Sequence, residues 1–273
     1  MKRIVSTCQG ETFRAAAQRP WRGTILLVTR GGWYLETSQG DILLLHDACF
    51  GEIPIGAALP DIRELPYDKR YEHQPLRFEN NILMLTDELQ IELSGEKETC
   101  LRLPESVSAG RLRALEGALK NSGRGELRYA ACRMQPPEDS LLWSELHRRT
   151  ENLLTAVGGG YKKIAPAVKE LLGLGSGLTP ACDDWLVGYV YAARRTGKKE
   201  VCAEISEAGL RYAGEYTNAV SAAYLRAAAR GEYYELLEGC LFYKDADSIA
   251  RLLSIGSSSG SDVLSGMLAA CIG

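Results

Sequence analysis

The sequence predicts an α+β protein, with a β-rich N-terminal domain followed by a mainly α-helical domain. Two observations lead to this prediction. Between residues 25 and 103, apolar residues come in short, strand-length runs separated by turn residues. After Pro136-Pro137, apolar residues recur instead at helical spacing. We therefore expect two domains, covering residues 1–135 and 136–273.

The N-terminal domain is expected to be a small antiparallel barrel or sandwich. Apolar runs with the composition of strands lie at 25–28, 33–35, 42–45, 53–55, 82–85 and 91–93. Prolines crowd the middle of this region, which predicts an irregular loop over residues 56–76. Residues 111–119 have helical spacing, and a strand is predicted at 127–132.

The second domain is expected to be built from closely packed helices that are rich in alanine and glycine. Apolar spacing predicts helices at 141–157, 164–172, 185–195, 201–212, 216–230, 233–242 and 249–253, and a last one near the C-terminus.

Composition and net charge limit the classes of function that the sequence supports. The hydrophobic fraction of 45% and the charged fraction of 25% are those of an ordinary soluble globular protein. A net charge of −3 gives no electrostatic reason to expect nucleic acid or an anionic membrane as partner. The chain carries no apolar run long enough to span a bilayer, and its scattered cysteines include no C-x-x-C pair. These features favour a reduced, cytoplasmic protein.

The stretch from Gly173 to Gly188 contains the first candidate site. Glycines alternate with other residues up to Gly177, and Thr179-Pro180 then has the pattern of an N-cap followed by proline at the first helical position. A glycine loop leading into a helix N-terminus can leave N–H groups free to bind an anion. The alternative is a loop that only turns a corner.

A second stretch, residues 256–266, repeats this arrangement. Residues 184–188 and 262–266 share the pattern Asp-x-Leu-x-Gly, and each follows small residues and leads into an apolar helix. We expect the two helices to pack side by side, with glycines letting the backbones approach, and their N-termini to face one pocket. The alternative is a repeated helix-packing motif without a ligand.

Two common nucleotide-binding motifs are absent from the first stretch. A dinucleotide fingerprint would need glycine where Leu178 stands, and a P-loop would need a lysine after Gly177.

The pattern Gly-x-Gly-x-Gly-Leu-Thr-Pro-x-x-Asp-Asp-x-Leu-x-Gly at 173–188 resembles the signature of a bacterial family long described as a domain of unknown function. That family includes a small subunit of oxamate carbamoyltransferase, from anaerobic allantoin degradation. Residues 217–231 resemble its central helix and 256–266 its C-terminal loop. The resemblance covers mainly residues 140–273, and Ala181-Cys182 stand where Ser-Gly is typical.

The resemblance implies a cytoplasmic transferase subunit that acts with other carbamoyltransferase subunits. The implied reaction converts oxalurate and phosphate to oxamate and carbamoyl phosphate, so the ligand would be a small anion. The alternative is a non-catalytic subunit that binds a small anion or serves as a scaffold. The absence of histidine after His147 favours this alternative, because the commonest general base is then missing from the helical half.

For the enzyme, Asp183 and Asp184 are the expected catalytic residues, and the pair would either orient an amine or hold Mg²⁺. The expected substrate contacts are contributed by three segments. They are Gly175, Ser176, Gly177 and Thr179, then Asn218 and Ser221, then Ser258, Ser259, Gly260 and Asp262.

Overall fold

The computed structural model describes residues 2–94, 105–135, 140–160, 163–243 and 246–272. The chain divides into two compact units. The first comprises residues 1–100 with 232–236, and the second comprises 101–231 with 237–273. The expected domain boundary at 136–137 lies outside the described residues. A strand-rich N-terminal region followed by helices confirms the predicted fold class.

The first unit is built on one curled sheet. Its strands are β1 (Lys2–Val5), β2 (Cys8–Gln9), β3 (Trp21–Thr29), β4 (Gly32–Thr37), β5 (Ile42–Asp47), β6 (Gly56–Leu59), β7 (Pro75–Glu79), β8 (Ile82–Met84) and β9 (Leu89–Glu92). Their order is β1-β9-β8-β7-β3-β4-β5-β6-β2. The β1–β9 and β5–β6 pairings are parallel, and the other described pairings are antiparallel.

Alternating burial explains why these segments form strands. In β4, Trp33, Leu35 and Thr37 are buried while Tyr34 and Glu36 between them are half-buried. Helix α1 (Glu11–Ala16) packs against β5 and β6, and its Phe13 is buried in the same apolar core as Trp33.

The expected irregular loop over 56–76 is wrong in part. Strand β6 begins this segment, and 3-10 helices follow at Ile62–Glu64 and Lys69–Tyr71. Each short helix is capped by an aspartate, because Asp61 accepts from the Arg63 N–H and Asp68 from the Arg70 N–H. The run 53–55, expected as a strand, is not one.

The rest of the described chain is helical. The helices are α2 (Ala109–Ser122), α3 (Leu127–Ala131), α4 (Leu141–Gly159), α5 (Ile164–Leu171), α6 (Ala181–Arg195), α7 (Lys199–Tyr216), α8 (Ala219–Arg230), α9 (Glu235–Leu241), α10 (Ala246–Leu253) and α11 (Ser259–Ile272). None of the described helices is long and apolar enough to cross a membrane. The strand predicted at 127–132 is wrong, because α3 occupies it. Periodicity cannot separate helix from strand in so short an apolar run.

Helices α6 and α11 form a closely packed parallel pair in the second unit. Near their beginnings the Thr179 and Ser259 hydroxyls are 2.9 Å apart, and near their ends Lys198 Nζ donates to the Ala270 carbonyl at 2.8 Å. The helices are parallel because their beginnings lie together and their ends lie together.

Two glycines make this close approach possible. A Cβ on Gly188 would lie 2.0 Å from the Val263 carbonyl oxygen, and a Cβ on Gly266 would lie 2.0 Å from the Trp185 carbonyl oxygen. The contacts are reciprocal, since each glycine packs on the residue that follows the aspartate of the other motif. The expected side-by-side packing of the two Asp-x-Leu-x-Gly helices is therefore confirmed.

Replacing Gly188 by alanine should destabilise the protein strongly. The added methyl group would overlap backbone atoms of α11, and such overpacking lowers the free energy of unfolding by about 1–3 kcal/mol or more. Denaturant unfolding followed by circular dichroism measures the change. Gly214→Ala is the matched control, because a Cβ at this exposed position of α7 meets nothing within 4 Å. It should raise stability by up to about 1 kcal/mol through helix propensity. Equal effects of the two substitutions would contradict the packing argument.

Candidate functional site

Three helix N-termini meet in the second unit. The beginnings of α6 and α11 are joined by the Thr179–Ser259 hydroxyl contact. The beginning of α8 joins them, because the Asn218 side-chain amide donates to the Leu178 carbonyl at 2.7 Å. The structure confirms that the first two N-termini lie together, while the pocket that they were expected to face stays a prediction. The start of α8 adds a third helix N-terminus at the same place.

The loop before α6 has both a structural part and an exposed part. Gly173 and Gly175 have positive φ, and a Cβ would strike the Tyr216 carbonyl at the first and the Ala181 N–H at the second. Gly177 also has a positive φ, of 106°, but a Cβ there would meet nothing closer than 3.6 Å. Residues 176–178 are exposed. This tip is therefore the most exposed part of the loop.

The predicted N-cap at Thr179 is wrong. Helix α6 begins at Ala181 with Pro180 as the capping residue, and the Thr179 hydroxyl donates instead to Asp184 Oδ2 at 2.8 Å. The threonine therefore ties the loop to a side chain of the first helical turn.

Each of the three helix starts already uses an N–H group internally. The Cys182 N–H donates to the Leu174 carbonyl at 3.0 Å, and the Gly260 N–H donates to the Ile255 carbonyl at 3.2 Å. The Ser221 N–H donates to the Asn218 side chain at 3.0 Å, which makes Asn218 the N-cap of α8. These groups cannot donate to an anion at the same time.

Asp183 holds the loop to the segment that precedes α8. Its side chain is only 1% exposed. It accepts hydrogen bonds from the Gly173 N–H at 2.9 Å and from the Thr217 hydroxyl at 2.5 Å. Burial raises the pKa of Asp183, and these hydrogen bonds, which favour the charged form, partly offset the rise. Ser221, an expected substrate contact, is buried on α8 near this carboxyl.

Asp184 faces the neighbouring helix instead. It is 4% exposed, and the Thr179 and Ser259 hydroxyls approach its carboxyl. Burial raises the pKa of Asp184 to about 7, against the lowering effect of these hydroxyls. Asp183 and Asp184 are consecutive on a helix, so their side chains point in different directions and do not share one set of partners.

Asp262 is the counterpart of Asp184 on α11 and has different surroundings. It is 0% exposed, and neither carboxyl oxygen accepts a hydrogen bond from any residue that the structure describes. Burial raises the pKa of Asp262 well above its ordinary value, and the neighbouring Asp184 raises it further. The Ser258 hydroxyl is close enough to oppose this rise but does not reach hydrogen-bonding geometry.

The expected Mg²⁺ site at Asp183 and Asp184 stays a prediction. Both carboxyls already accept hydrogen bonds from the protein. Within the described ranges, no group of three or more His, Cys, Asp or Glu side chains is placed to hold a metal ion.

A cavity of about 410 Å³ lies in the second unit away from the loops. It is bounded by α3, α4, α6 and α11, and its wall is mostly apolar. The lining includes Leu127, Leu154, Trp185, Tyr189, Lys198 and Ile272, and contains none of the expected site residues. Ordinary core-type residues form most of this wall, so no sequence motif marked it.

Residues 171–271 match the model of a family described as oxamate carbamoyltransferase subunit AllH. The matched segment contains both glycine-containing loops and helices α6 to α11, and therefore all three converging helix starts. No solved structure matches the chain.

The buried carboxyls should make stability depend on pH in an unusual direction. Folding raises the pKa of Asp184 from 3.8 to about 7. The folded state therefore holds a proton that the unfolded chain has lost between these values. The resulting stabilisation is complete below the unfolded pKa and is lost as pH rises through the folded pKa. Asp262 contributes with the same sign.

We expect the free energy of unfolding to fall less in Asp184→Asn than in the wild type between about pH 5 and about pH 8. Urea denaturation at several pH values measures this difference. The buried His46, whose pKa burial lowers to about 4, acts with the opposite sign, but its effect is common to both proteins and cancels on subtraction. Parallel curves for the two proteins would contradict the raised pKa.

Proposed function

We propose that this chain, a member of the AllH family of oxamate carbamoyltransferase subunits, works with partner subunits in the cytoplasm as part of that enzyme. The proposed reaction transfers the carbamoyl group of oxalurate to phosphate and releases oxamate. The observation that carries the proposal is that the family match covers the segment in which three helix N-termini converge.

The exposed loop tip is the proposed contact for the anionic part of the substrate. Residues 176–178 lie where the positive ends of α6, α8 and α11 come together, which favours a negatively charged ligand. Because first-turn N–H groups are already used within the protein, the donors are expected from Ser176 and Gly177. Such fixed donors stabilise charge that develops during carbamoyl transfer without reorganising.

Asp183 and Asp184 are proposed to position this loop. Their carboxyls bind Gly173 and Thr179, the two ends of the loop, and both are buried away from its exposed tip. Holding the loop in one geometry contributes to catalysis by orienting the substrate. The groups that contact the reacting atoms would then come in part from partner subunits.

The same observation supports the second candidate function, a non-catalytic subunit that binds the anion or serves as a scaffold. If both aspartates only hold the loop, the chain alone can bind a ligand without transforming it. Thermal-shift measurements with phosphate, carbamoyl phosphate, oxamate and oxalurate test binding by the isolated chain. Phosphate-dependent release of oxamate from oxalurate, assayed with and without the partner subunits, tests catalysis.

Activity that appears only with partners and is lost in Asp183→Asn would support a subunit that contributes to catalysis. Unchanged activity of the assembly with Asp183→Asn would favour the scaffold. No stabilisation by any of these anions, with or without partners, would contradict the proposed binding site.

Gly177→Val should abolish anion binding while leaving the fold intact. A β-branched residue at a φ of 106° is strained by about 1–3 kcal/mol, so the loop tip is expected to change conformation. The matched control is Gly40→Val, because Gly40 also has a positive φ and open space around it, but lies in the first unit. Both variants should lose similar stability, and only Gly177→Val should lose the thermal shift with carbamoyl phosphate. Retained binding in Gly177→Val would exclude the loop tip as the contact.

A further inference from the structure

The paired helices α6 and α11 present two equivalent aspartates with unequal partners. Asp184 and Asp262 are each the fourth residue of their helix, and each is followed by a residue on which the other helix's glycine packs. Thr179, two residues before α6, donates to Asp184. Ser257 occupies the equivalent place before α11, but this serine is exposed. Asp262 therefore has no counterpart of the Thr179 hydrogen bond, and none of the described residues donates a hydrogen bond to it.

A buried carboxyl without a donor is costly, because it has lost hydration and gained no replacement. A second such group lies beside it. Glu126 accepts from the Ser140 hydroxyl at 3.1 Å through one oxygen, while its other oxygen is buried without a partner among the described residues. Glu126 is near enough to raise the pKa of Asp262. Three buried carboxyl oxygens here, two of Asp262 and one of Glu126, have no donor among the described residues, which is the arrangement expected where a ligand supplies donors.

Only a thin layer separates Asp262 from solvent. Gly125 abuts its carboxyl, since a Cβ on this glycine would lie 3.0 Å from Asp262 Oδ1 and 2.9 Å from Ser258 Cβ. Gly125 and Ser258 are themselves half-buried, and Arg124 and Ser257 next to them are exposed. A small displacement of this layer would admit the end of a small molecule.

The chemistry of the acceptors defines the group that fits. A carboxyl oxygen of Asp262 and the unpartnered oxygen of Glu126 can accept hydrogen bonds from N–H donors, and neither group offers a positive charge to an anion. A carbamoyl amino group offers two N–H donors, carries no negative charge and is about the size of a methyl group. The anionic end of the same molecule would remain at the exposed loop, which is linked to α11 through Thr179 and Ser259.

We propose that Asp262 is the acceptor for the amino group of a carbamoyl-bearing ligand that reaches it beside Gly125. The assignment rests on the proposed function, because it concerns the other end of the ligand whose anion meets the loop. It explains why one aspartate of a matched pair is satisfied by the protein and the other is not.

Carbamoyl phosphate and acetyl phosphate form the test pair, since they differ only by an amino group in place of a methyl group. Their affinities for the full chain, alone and with its partner subunits, are measured by calorimetry. We expect the wild type to prefer carbamoyl phosphate by about tenfold or more, the value of one or two hydrogen bonds to a carboxyl. Asp262→Ala, which removes both acceptor oxygens, should bind the two ligands within about twofold of each other.

Two further variants keep the test independent of folding. Asp262→Asn preserves the volume and one acceptor oxygen, so it should fold normally and show an intermediate preference. Ser257→Ala is the control, since this exposed serine takes no part in the proposed contact, and it should keep the full preference.

The outcomes separate this inference from the proposed function. Equal affinity of the wild type for the two phosphates would overturn the role of Asp262 and leave the anion-binding loop standing. An equal loss of both ligands in Asp262→Asn would also overturn it, because the residue would then be structural. Binding of neither phosphate, even with partner subunits, would overturn both proposals.

Discussion

The contact between the backbones of α6 and α11 determines the geometry of the candidate site. Gly188 and Gly266 allow each helix to rest directly on a carbonyl group of the other. This fixes the two helices in parallel and in register, so that the residues before each helix meet through Thr179 and Ser259. Because side chains larger than hydrogen would separate the helices, the position of the site is set by two residues that have no side chain.

Parallel packing of α6 and α11 brings the positive ends of two helix dipoles together, which is electrostatically unfavourable. The positive ends of neighbouring helices lie side by side, and acidic residues in the first turns offset them. Asp183 and Asp184 also bind the loop that leads into α6, so the acidic side chains at this helix start maintain the loop conformation as well. The first-turn acidic side chains therefore partly compensate the helix dipoles in the absence of a ligand. The exposed loop tip is then the region where the remaining positive potential would favour an external anion most.

Contacts between distant segments of the site could be predicted where they depend only on the spacing of residues within a motif. The shared Asp-x-Leu-x-Gly pattern predicted helix packing correctly, because glycine at that spacing has a clear steric use. The N-cap at Thr179 was predicted wrongly, since its hydroxyl finds a side-chain acceptor that only tertiary structure brings near. The sequence did not predict that the start of α8 joins the other two helix starts. The contact runs from the Asn218 side chain to the backbone carbonyl of Leu178, and a backbone acceptor leaves no signal in the sequence. Strands β1 and β2 and helix α1 were also missed, being too short for periodicity to register.

The pairing of α6 with α11 has a consequence for folding during synthesis, because the two helices are far apart in the chain. Helix α6 is nearly all buried in the folded protein, yet its main neighbour is the last of the described helices to be made. Until translation reaches that neighbour, the side of α6 that packs on α11, which includes Trp185, Gly188 and Tyr189, stays uncovered. A nascent chain at this stage would expose an apolar surface of α6, and we expect chaperones to bind this surface.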